Sequence, residues 1–347
     1  MKHSFKNDYS ELCHPRILSS LSAAATGQFE GYCDDVYSLG AAGLIRDVFK
    51  APNANVHFVS GGTQANLVII SSVLRPHEAV IAPHAGHIFV HEAGAIEATG
   101  HKICTREGLN GKLSVSDIKS VVEEHCDEHM VKPRLVYLSL STECGTVYTK
   151  AELGDISEYC RKNGLYIHLD GARLGAGINS TFCDLTYPDL TKLVDIFYIG
   201  GTKTGALFGE AIVICNDGLK EDFRFLMKQR GALLAKGAVI GLQFEALFTI
   251  SDMQETCLYD ELSLHANKIA KLLAEGMQQL GYEFFSPVQT NIIIPLLPSK
   301  VVERLSKLYD FHVWGNLGDM VAIRLVTSWA TTPDVIEDFL KDLKSMS

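Results

Sequence analysis

The sequence has 347 residues, of which 47% are hydrophobic and 21% are charged, a composition typical of a folded chain rather than a disordered one. It carries 31 basic and 41 acidic residues, and the net charge of −10 disfavours non-specific binding to nucleic acids or anionic membranes, although a local basic pocket is compatible with it. The length predicts roughly two domains and a core large enough to need no disulfides.

The cysteines and the apolar runs indicate a cytoplasmic protein. Nine cysteines are scattered along the chain without a C-x-x-C pair, which favours reduced thiols over a disulfide framework or a zinc site. The longest apolar runs, at residues 67–70 and 292–297, are far shorter than the ~20 residues of a membrane-spanning helix. The polar N-terminal segment also lacks the apolar stretch of a secretory signal.

From about residue 55 to 215, short runs of β-branched residues alternate with helix-like stretches. Ser114 is placed to cap a helix whose first turn contains Asp117, and Gly164 marks a helix end. In chain order, the predicted elements are strand 56–60, helix 64–74, strand 79–82, helix 85–99, strand 102–105, helix 115–124, strand 135–140, helix 151–163, and strands 165–169, 196–199 and 211–215. This alternation predicts a mostly parallel sheet with helices on both faces.

The rest of the chain has a different pattern. Residues 217–280 are almost wholly helical in character, and a last helix is predicted after Pro333. Between them, strands are predicted at residues 282–285, 291–296 and 321–326. We therefore predict a larger domain over residues 1–250 and a smaller α/β domain over residues 251–347, with residues 1 to about 20 packing on the smaller one.

Two segments carry residues that suggest chemistry. In LYIHLDGAR, a buried strand delivers Asp170 at its carboxyl end, and a small turn leads to Arg173. In DIFYIGGTKTGALFGE, a strand ends in two glycines and then presents Thr202 and Lys203. Ligands bind at the carboxyl ends of the strands in open α/β sheets. One pocket is therefore predicted to hold an acidic group and a lysine together.

Pyridoxal phosphate needs both of these groups. A lysine amine holds the cofactor as a Schiff base, and a carboxylate keeps the pyridine nitrogen protonated. The phosphate needs backbone N–H groups at a helix N-terminus, which the turn SGGT at residues 60–63 is placed to supply. Each signal has a simpler alternative: Asp170 as a helix N-cap, Lys203 as a surface residue, and the glycines as a tight turn. Together, and each at a strand end, they favour the cofactor.

The sequence resembles the threonine aldolases, which belong with the aromatic β-eliminating lyases to the fold-type I pyridoxal-phosphate enzymes. The resemblance runs over essentially the whole chain. It is carried by DDVY (34–37), GGTQANL (61–67), HIFVHEAGA (87–95), HLDGAR (168–173), GGTK (200–203) and IRLVTSW (323–329). It implies an α/β fold like that of aspartate aminotransferase, in which a large domain with a mostly parallel seven-stranded sheet precedes a smaller C-terminal α/β domain.

The resemblance also implies the residues of the cofactor site. Lys203 would be the Schiff-base lysine, Asp170 the partner of the pyridine nitrogen, and His87 the residue that stacks on the ring. These three are the expected catalytic residues. Gly61 stands where the family usually has a serine, which removes a hydroxyl but leaves the backbone donors. Besides the three catalytic residues, the cofactor contacts implied by the resemblance are Gly61, Gly62, Thr63, Arg173 and Thr202.

The substrate contacts follow from the same motifs. Arg173 and Arg324 would hold the α-carboxylate of the substrate, a task suited to the planar guanidinium group, and Asn7 would add a contact. Arg324 also lies within the apolar strand AIRLV, where an unpaired charge is costly, so it must meet an anion of the protein or of a ligand. Lys228 or Arg230 would reach a phosphate, in the neighbouring subunit, although a basic stretch is more often a solvated face.

The histidines of the chain do not form the pattern of a metal site, and they differ from the family pattern at one segment. His84, His87 and His91 fall on one face of a predicted helix, but without a supporting pattern of ligands we expect no metal. Many family members have a histidine, a candidate acid–base group, in the segment aligned with residues 139–145. Here the segment reads SLSTECG, with Thr142 and Glu143 but no histidine.

Three functions are compatible with these residues. The first is a pyridoxal-phosphate-dependent lyase that cleaves threonine, allo-threonine or a bulkier β-hydroxy amino acid to glycine and an aldehyde. The second is a β-eliminating lyase on the same scaffold, giving a 2-oxo acid and ammonia, and the third is a non-catalytic cofactor-binding protein. The partner is then a small amino acid, and the resemblance implies a homodimer or homotetramer with active sites at the interface.

Overall fold

The computed structural model describes residues 2–250 and 255–346. Strands are numbered along the chain, and most lie between residues 55 and 214 or beyond residue 291. They are β1 (His3–Ser4), β2 (Asn55–Val59), β3 (Glu78–Pro83), β4 (Ile103–Arg106), β5 (Lys132–Ser139), β6 (Tyr166–Asp170), β7 (Ile196–Gly200), β8 (Glu210–Ile214), β9 (Ile292–Ile293), β10 (Leu296–Pro298), β11 (Tyr309–Asp310), β12 (His312–Leu317) and β13 (Met320–Val326).

Strands β2 to β8 form one sheet, in the order β2-β8-β7-β6-β5-β3-β4. The pairs from β7 to β4 are all parallel, whereas β8 runs antiparallel to both β2 and β7. The residues of β3, β7 and β8 are buried throughout, as expected for strands covered on both faces. The predicted α/β fold with a mostly parallel seven-stranded sheet is confirmed.

Helices cover both faces of this sheet. The predicted cap at Ser114 is present as a capping box with Asp117, and Thr149 and Glu152 form a second one. No helix of residues 2–250 and 255–346 is long and apolar enough to cross a membrane. The helices are α1 (Pro15–Ala23), α2 (Val36–Val48), α3 (Gly62–Val73), α4 (His87–Val90), α5 (Val115–Glu124), α6 (Lys150–Lys162), α7 (Leu174–Ile178), α8 (Tyr187–Leu193), α9 (Phe223–Gln229), α10 (Ala238–Phe248), α11 (Leu258–Gln279), α12 (Ser299–Leu305) and α13 (Pro333–Met346).

The C-terminal strands share a second core with the first residues of the chain. β13 pairs antiparallel with β9, β10 and β12, and β1 pairs in parallel with β11. Phe5 is fully buried and packs edge-to-face on Phe339, with 5.3 Å between the ring centroids. The predicted domain boundary adjoins residues 251–254, which lie outside the described residues, so the domain division stays a prediction.

Three predicted elements differ from the structure, at residues with special backbone requirements. The helix predicted over residues 85–99 is only the short α4 and a 3₁₀ turn at Glu97–Thr99, because Ala93 and Gly94 adopt positive φ angles of 51° and 74°. The strand predicted at 282–285 is reduced to a single bridge between Phe284 and Pro295. Pro295 has no N–H group, and it also divides the strand predicted at 291–296 into β9 and β10.

The substitution Phe5→Ala tests whether the N-terminal segment completes the C-terminal core. Loss of a fully buried ring that contacts Phe339 is expected to lower the free energy of unfolding by about 3–5 kcal/mol. Leu12→Ala is the control, because Leu12 is 70% exposed and its loss is expected to cost less than about 0.5 kcal/mol. Urea denaturation measures both, and equal midpoints for Phe5→Ala and wild type would contradict the shared core.

Candidate active site

Two glycines bring the ends of β6 and β7 together. The Gly200 N–H donates to the Gly171 carbonyl at 2.9 Å. A Cβ atom on Gly171 would lie 1.9 Å from a carbonyl oxygen of β7, and one on Gly200 would lie 2.3 Å from a carbonyl oxygen of the turn after β6. Because no side chain fits in either place, the motifs containing Asp170 and Lys203 require glycine where their backbones meet.

The Asp170 carboxylate is buried and accepts four hydrogen bonds. Tyr137 and Tyr198 each donate a hydroxyl proton to it at 2.6 Å, the Asn66 amide donates at 3.1 Å, and the Ala172 N–H donates at 3.0 Å. Burial raises the pKa of Asp170, but the hydrogen bonds from the two tyrosines and the nearby His87 outweigh it, so the pKa lies below its usual range. The group is therefore a permanent negative charge at the end of β6.

Lys203 lies in the turn after β7, with its amine in a largely buried position. Burial and the positive charge of Arg173 lower the pKa of Lys203, while the carboxylates of Asp8 and Asp170 act in the opposite direction. Its Nζ lies 6.0 Å from the ring centroid of Tyr9, and none of the hydrogen bonds found in residues 2–250 and 255–346 involves it. A lowered pKa makes the amine a better nucleophile at neutral pH.

The turn that carries Lys203 is held by Glu210, a residue that the sequence analysis missed. The buried Glu210 carboxylate accepts the Gly201 N–H at 2.7 Å, and the Thr202 hydroxyl accepts the Gly209 N–H at 3.1 Å. Burial raises the pKa of Glu210, and the charge of Lys203 opposes the rise. An acidic residue opening the apolar strand EAIVI was the available signal.

The N-terminus of α3 provides free backbone donors. Gly61 is its N-cap with an extended backbone and no capping side chain, and a Cβ atom at Gly61 would meet nothing within 4 Å. Gly62 is closer to the sheet, because its Cβ would lie 3.1 Å from the Tyr198 hydroxyl. Thr63 is exposed. The first N–H groups of a helix have no intrahelical partner, and together they attract anions such as phosphate.

Arg173 has a protein partner that the sequence analysis did not foresee. Its Nε and Nη2 donate to the two carboxylate oxygens of Asp8 at 2.7 and 2.9 Å, and the Asn291 amide donates to the same carboxylate at 2.9 Å. The Asp8 and Arg173 side chains are only 2% and 11% exposed. Burial raises the pKa of Asp8, but the charges and hydrogen bonds around it, led by Arg173, bring the pKa below its usual value.

Arg324 has no ionic partner in the part of the chain that the structure describes. Its Nε is buried and has no hydrogen-bond partner there, and its guanidinium carbon lies 5.9 Å from the ring centroid of Trp314. Burial and the charge of Arg173 lower the pKa of Arg324 to about 10, so it stays protonated at neutral pH. A buried, charged group with an unused donor is suited to bind a carboxylate.

His87 opens α4 and lies between two carboxylates. Its Nδ1 is 2.8 Å from a Glu92 oxygen, and its backbone N–H donates to Glu143 at 3.0 Å. The rings of His87 and His91 are 5.5 Å apart, whereas His84 is exposed and packs on Phe89.

Of the two polar candidates in the segment SLSTECG, Thr142 and Glu143, only Glu143 contacts His87. Thr142 faces away and shares a hydrogen bond with Thr146 at 2.7 Å. Glu143 accepts from the Ser139 hydroxyl at 3.1 Å as well as from His87, and its other oxygen is buried without a partner among the described residues. Burial raises the pKa of Glu143, and the charge of Asp170 adds to the rise.

Three predicted contacts lie at the margin of this cluster. The Asn7 side chain accepts the Tyr9 N–H and the Ser10 hydroxyl, each at 3.0 Å, and so shapes the turn that carries Tyr9. Lys228 lies over the Tyr32 ring at 4.6 Å, and Arg230 has a buried Nε without a partner in the described ranges. None of the hydrogen bonds or ion pairs found in those ranges joins either basic residue to Lys203.

The chain is similar to known proteins of one family. The profile of a family described as "Beta-eliminating lyase" matches residues 15–298. The low specificity L-threonine aldolase of Pseudomonas aeruginosa is 30% identical over 342 residues, covering 97% of this chain and 96% of that protein. A threonine aldolase structure from Leishmania major matches with a TM-score of 0.95 and 46% identity, covering 99% of both chains.

A more distant structure confirms the predicted aminotransferase-like fold. An aspartate aminotransferase from Thermotoga maritima matches with a TM-score of 0.75 at 14% identity, covering 99% of this chain and 92% of that one.

Asp8→Asn tests the buried ion pair. The substitution leaves the Arg173 guanidinium without a counter-charge, and we expect the free energy of unfolding at pH 7 to fall by about 3–5 kcal/mol. The matched control is Asp34→Asn, which removes the carboxylate of the exposed Asp34–Arg224 pair at 3.1 Å and is expected to cost less than about 1 kcal/mol. Denaturant titration of both variants gives the comparison.

The pH dependence of the difference follows from the same pair. Because the pKa of Asp8 lies below its ordinary value of 3.8 in the folded chain, its stabilisation is complete above the unfolded-chain pKa. It is lost as the pH falls through the lower folded-state pKa. The gap between wild type and Asp8→Asn is thus constant near neutrality and shrinks below about pH 4. Equal costs for Asp8→Asn and Asp34→Asn would contradict the pair's importance.

Proposed function

The chain belongs to the β-eliminating lyase family, and on that premise we propose that it is a pyridoxal-phosphate-dependent lyase that cleaves a β-hydroxy-α-amino acid to glycine and an aldehyde. The observation that carries the proposal is the meeting of Asp170 and Lys203 at neighbouring strand ends, while Arg324, whose Nε has no partner in the described chain, shares Asp8 and Arg173 with Lys203 as charged neighbours. Threonine, allo-threonine or a bulkier analogue is the proposed substrate, in keeping with the names of the relatives in Pseudomonas aeruginosa and Leishmania major.

The residues present fit pyridoxal phosphate. The open space beside Gly61 and the free N–H groups of α3 suit a phosphate, and Thr202 lies in the turn next to Lys203. Lys203 offers the amine that binds the cofactor covalently, and the ionised Asp170 is suited to hold a protonated pyridine nitrogen. When bound, the cofactor accepts the electron pair that remains on the α carbon after the Cα–Cβ bond breaks.

Arg324 is the proposed anchor of the substrate α-carboxylate. Its free Nε and retained charge support a charge-assisted hydrogen bond. In our proposal Arg173 is a supporting group rather than an equal one, because Asp8 already uses two of its donors. Asn7 contributes through the turn that carries Tyr9, near the Lys203 amine.

The β-hydroxyl of the substrate needs a group that removes its proton while the Cα–Cβ bond breaks. We assign that role to His87, whose ring is partly exposed and lies electrostatically close to Asp170. The oxygen's bonding pair then forms the carbonyl of the aldehyde, and a proton added later to the α carbon completes glycine. Glu143, from the segment in which many family members have a histidine, supports His87 through the backbone N–H.

The proposal includes assembly and location. We propose a homodimer or homotetramer with active sites at the interface, which is supported by exposed leucine and valine side chains in the first forty residues: Leu12, Leu18, Val36 and Leu39. A cytoplasmic location is proposed from the scattered, odd-numbered cysteines of the sequence.

A product assay by NMR tests the function directly. Purified protein with added pyridoxal phosphate is offered L-threonine, L-allo-threonine, phenylserine and serine. We expect glycine and the matching aldehyde, because Arg324 and His87 are placed to act on the carboxylate and the β-hydroxyl. A 2-oxo acid and ammonia without glycine would instead establish the β-eliminating lyase that the family description also covers. No turnover of any of the four would contradict both.

Lys203→Ala tests the cofactor assignment. The variant is expected to lose the visible absorbance of lysine-bound pyridoxal phosphate, because no amine remains after β7. Lys268→Ala is the control, since Lys268 is exposed on α11 and is expected to keep the wild-type spectrum. If Lys203→Ala showed the same lysine-linked absorbance, the cofactor would be attached elsewhere.

A further inference from the structure

Glu92 belongs to the motif HIFVHEAGA but has no role in the mechanism proposed above. Its side chain is completely buried, and Oε1 lies 2.8 Å from His87 Nδ1. Its second oxygen, Oε2, is buried and has no hydrogen-bond partner within residues 2–250 and 255–346. A buried carboxylate lowers the stability of the fold unless a charged or polar group compensates it. The contact with His87 supplies part of that compensation.

Asn66 fixes the Glu92 carboxylate in place. The Asn66 amide nitrogen donates to Glu92 Oε1 at 2.7 Å and to Asp170 at 3.1 Å, and its carbonyl oxygen pairs with His168 Nε2 at 2.8 Å. The NH2 group of Asn66 faces carboxylate oxygens of Glu92 and Asp170, which accept hydrogen bonds. This fixes the orientation of the amide. Asn66 therefore holds Glu92 Oε1 beside the His87 ring, and the same amide group contacts Asp170.

From this geometry we propose that Glu92 is a positioning residue that keeps the proton of His87 on Nδ1, so that Nε2 is the nitrogen that gains and loses a proton during the reaction. A carboxylate bonded to one ring nitrogen fixes the tautomer of a histidine and makes the other nitrogen more basic. The ring itself is 37% exposed, whereas Glu92 is not exposed at all. Solvent and substrate can therefore approach the ring but not the carboxylate behind it.

The proposal rests on the role of His87 in the proposed function and specifies its atoms. The substrate O–H bond breaks and an Nε2–H bond forms, while the oxygen's electron pair becomes the second bond of the aldehyde carbonyl. The pair of the broken Cα–Cβ bond stays on the α carbon, which later takes up one proton. The sum is redox-neutral and needs no further reactant. Glu92 stabilises the imidazolium without itself taking the proton.

Other charged groups also face His87 and are part of any pH dependence. Glu143, in the segment 139–145, accepts the His87 backbone N–H, and Asp170 acts from the end of β6. The ring centroid of His91 lies 5.5 Å from that of His87. Among the charged groups around His87, Glu92 is the one that contacts a ring nitrogen. Removing it should change the tautomer, whereas Glu143 and Asp170 act on the ring only through space.

The test is an NMR titration of the full chain labelled with ¹⁵N-histidine, with and without added pyridoxal phosphate. His87 is assigned by the signal that disappears in His87→Phe. We expect Nδ1 to stay protonated over the whole titration and Nε2 to be the nitrogen that titrates. A neutral His87 with its proton on Nε2 would overturn the proposal, whatever the activity of the protein.

Glu92→Gln supplies the second readout, with the exposed Glu97→Gln as the control five residues further along the chain. Loss of the negative charge is expected to weaken the bond that fixes the proton on Nδ1, so that a larger share of neutral His87 carries its proton on Nε2 in the ¹⁵N spectrum. The value of kcat/KM is expected to fall by about 10² or more. An unchanged tautomer in Glu92→Gln would refute the role of Glu92.

The two proposals fail in different ways. If Nδ1 is protonated as expected but no β-hydroxy amino acid yields glycine, the assignment of Glu92 is supported and the aldolase function is refuted. If glycine forms while Nε2 carries the proton of neutral His87, the function is supported and Glu92 is refuted as its positioning residue.

Discussion

One buried carboxylate constrains most of the structure around the candidate site. An ionised Asp170 in a buried position is tolerable because four donors bond to its oxygens, and those donors come from β5, β7, α3 and the turn after β6. The same elements carry the Lys203 turn, the free N–H groups of α3 and, through Asn66, the contact with Glu92. The packing that stabilises the charge of Asp170 therefore also positions the reactive groups.

The balance of charge explains why one cation remains available for a ligand. Arg173 and Lys203 each have buried carboxylates opposing their charge, Asp8 for the former and Asp8, Asp170 and Glu210 for the latter. Arg324 has no such bonded partner in the described chain, and its positive charge persists despite burial. An amino acid brings one carboxylate, which matches the uncompensated guanidinium of Arg324.

The sequence was sufficient for the central sheet and for the residues at its strand ends, because alternating elements and glycine-containing turns are local patterns. It was insufficient where distant segments meet. Asp8 is far from Arg173 along the chain, so no local pattern indicates their ion pair. The positive φ angles at Ala93 and Gly94 and the interruption at Pro295 depend on tertiary context in the same way, and so does the direction in which Glu143 points. The roles assigned to Lys203, Asp170 and His87 stay predictions until tested.

The pairing of β1 with β11 also has a consequence for synthesis. His3 leaves the ribosome roughly 300 residues before its partner Tyr309. At about 5–20 residues per second, the β1 segment waits roughly 15–60 s before the surface that buries Phe5 exists. During that time the Phe5 ring has no native partner and stays accessible to chaperones that act during translation.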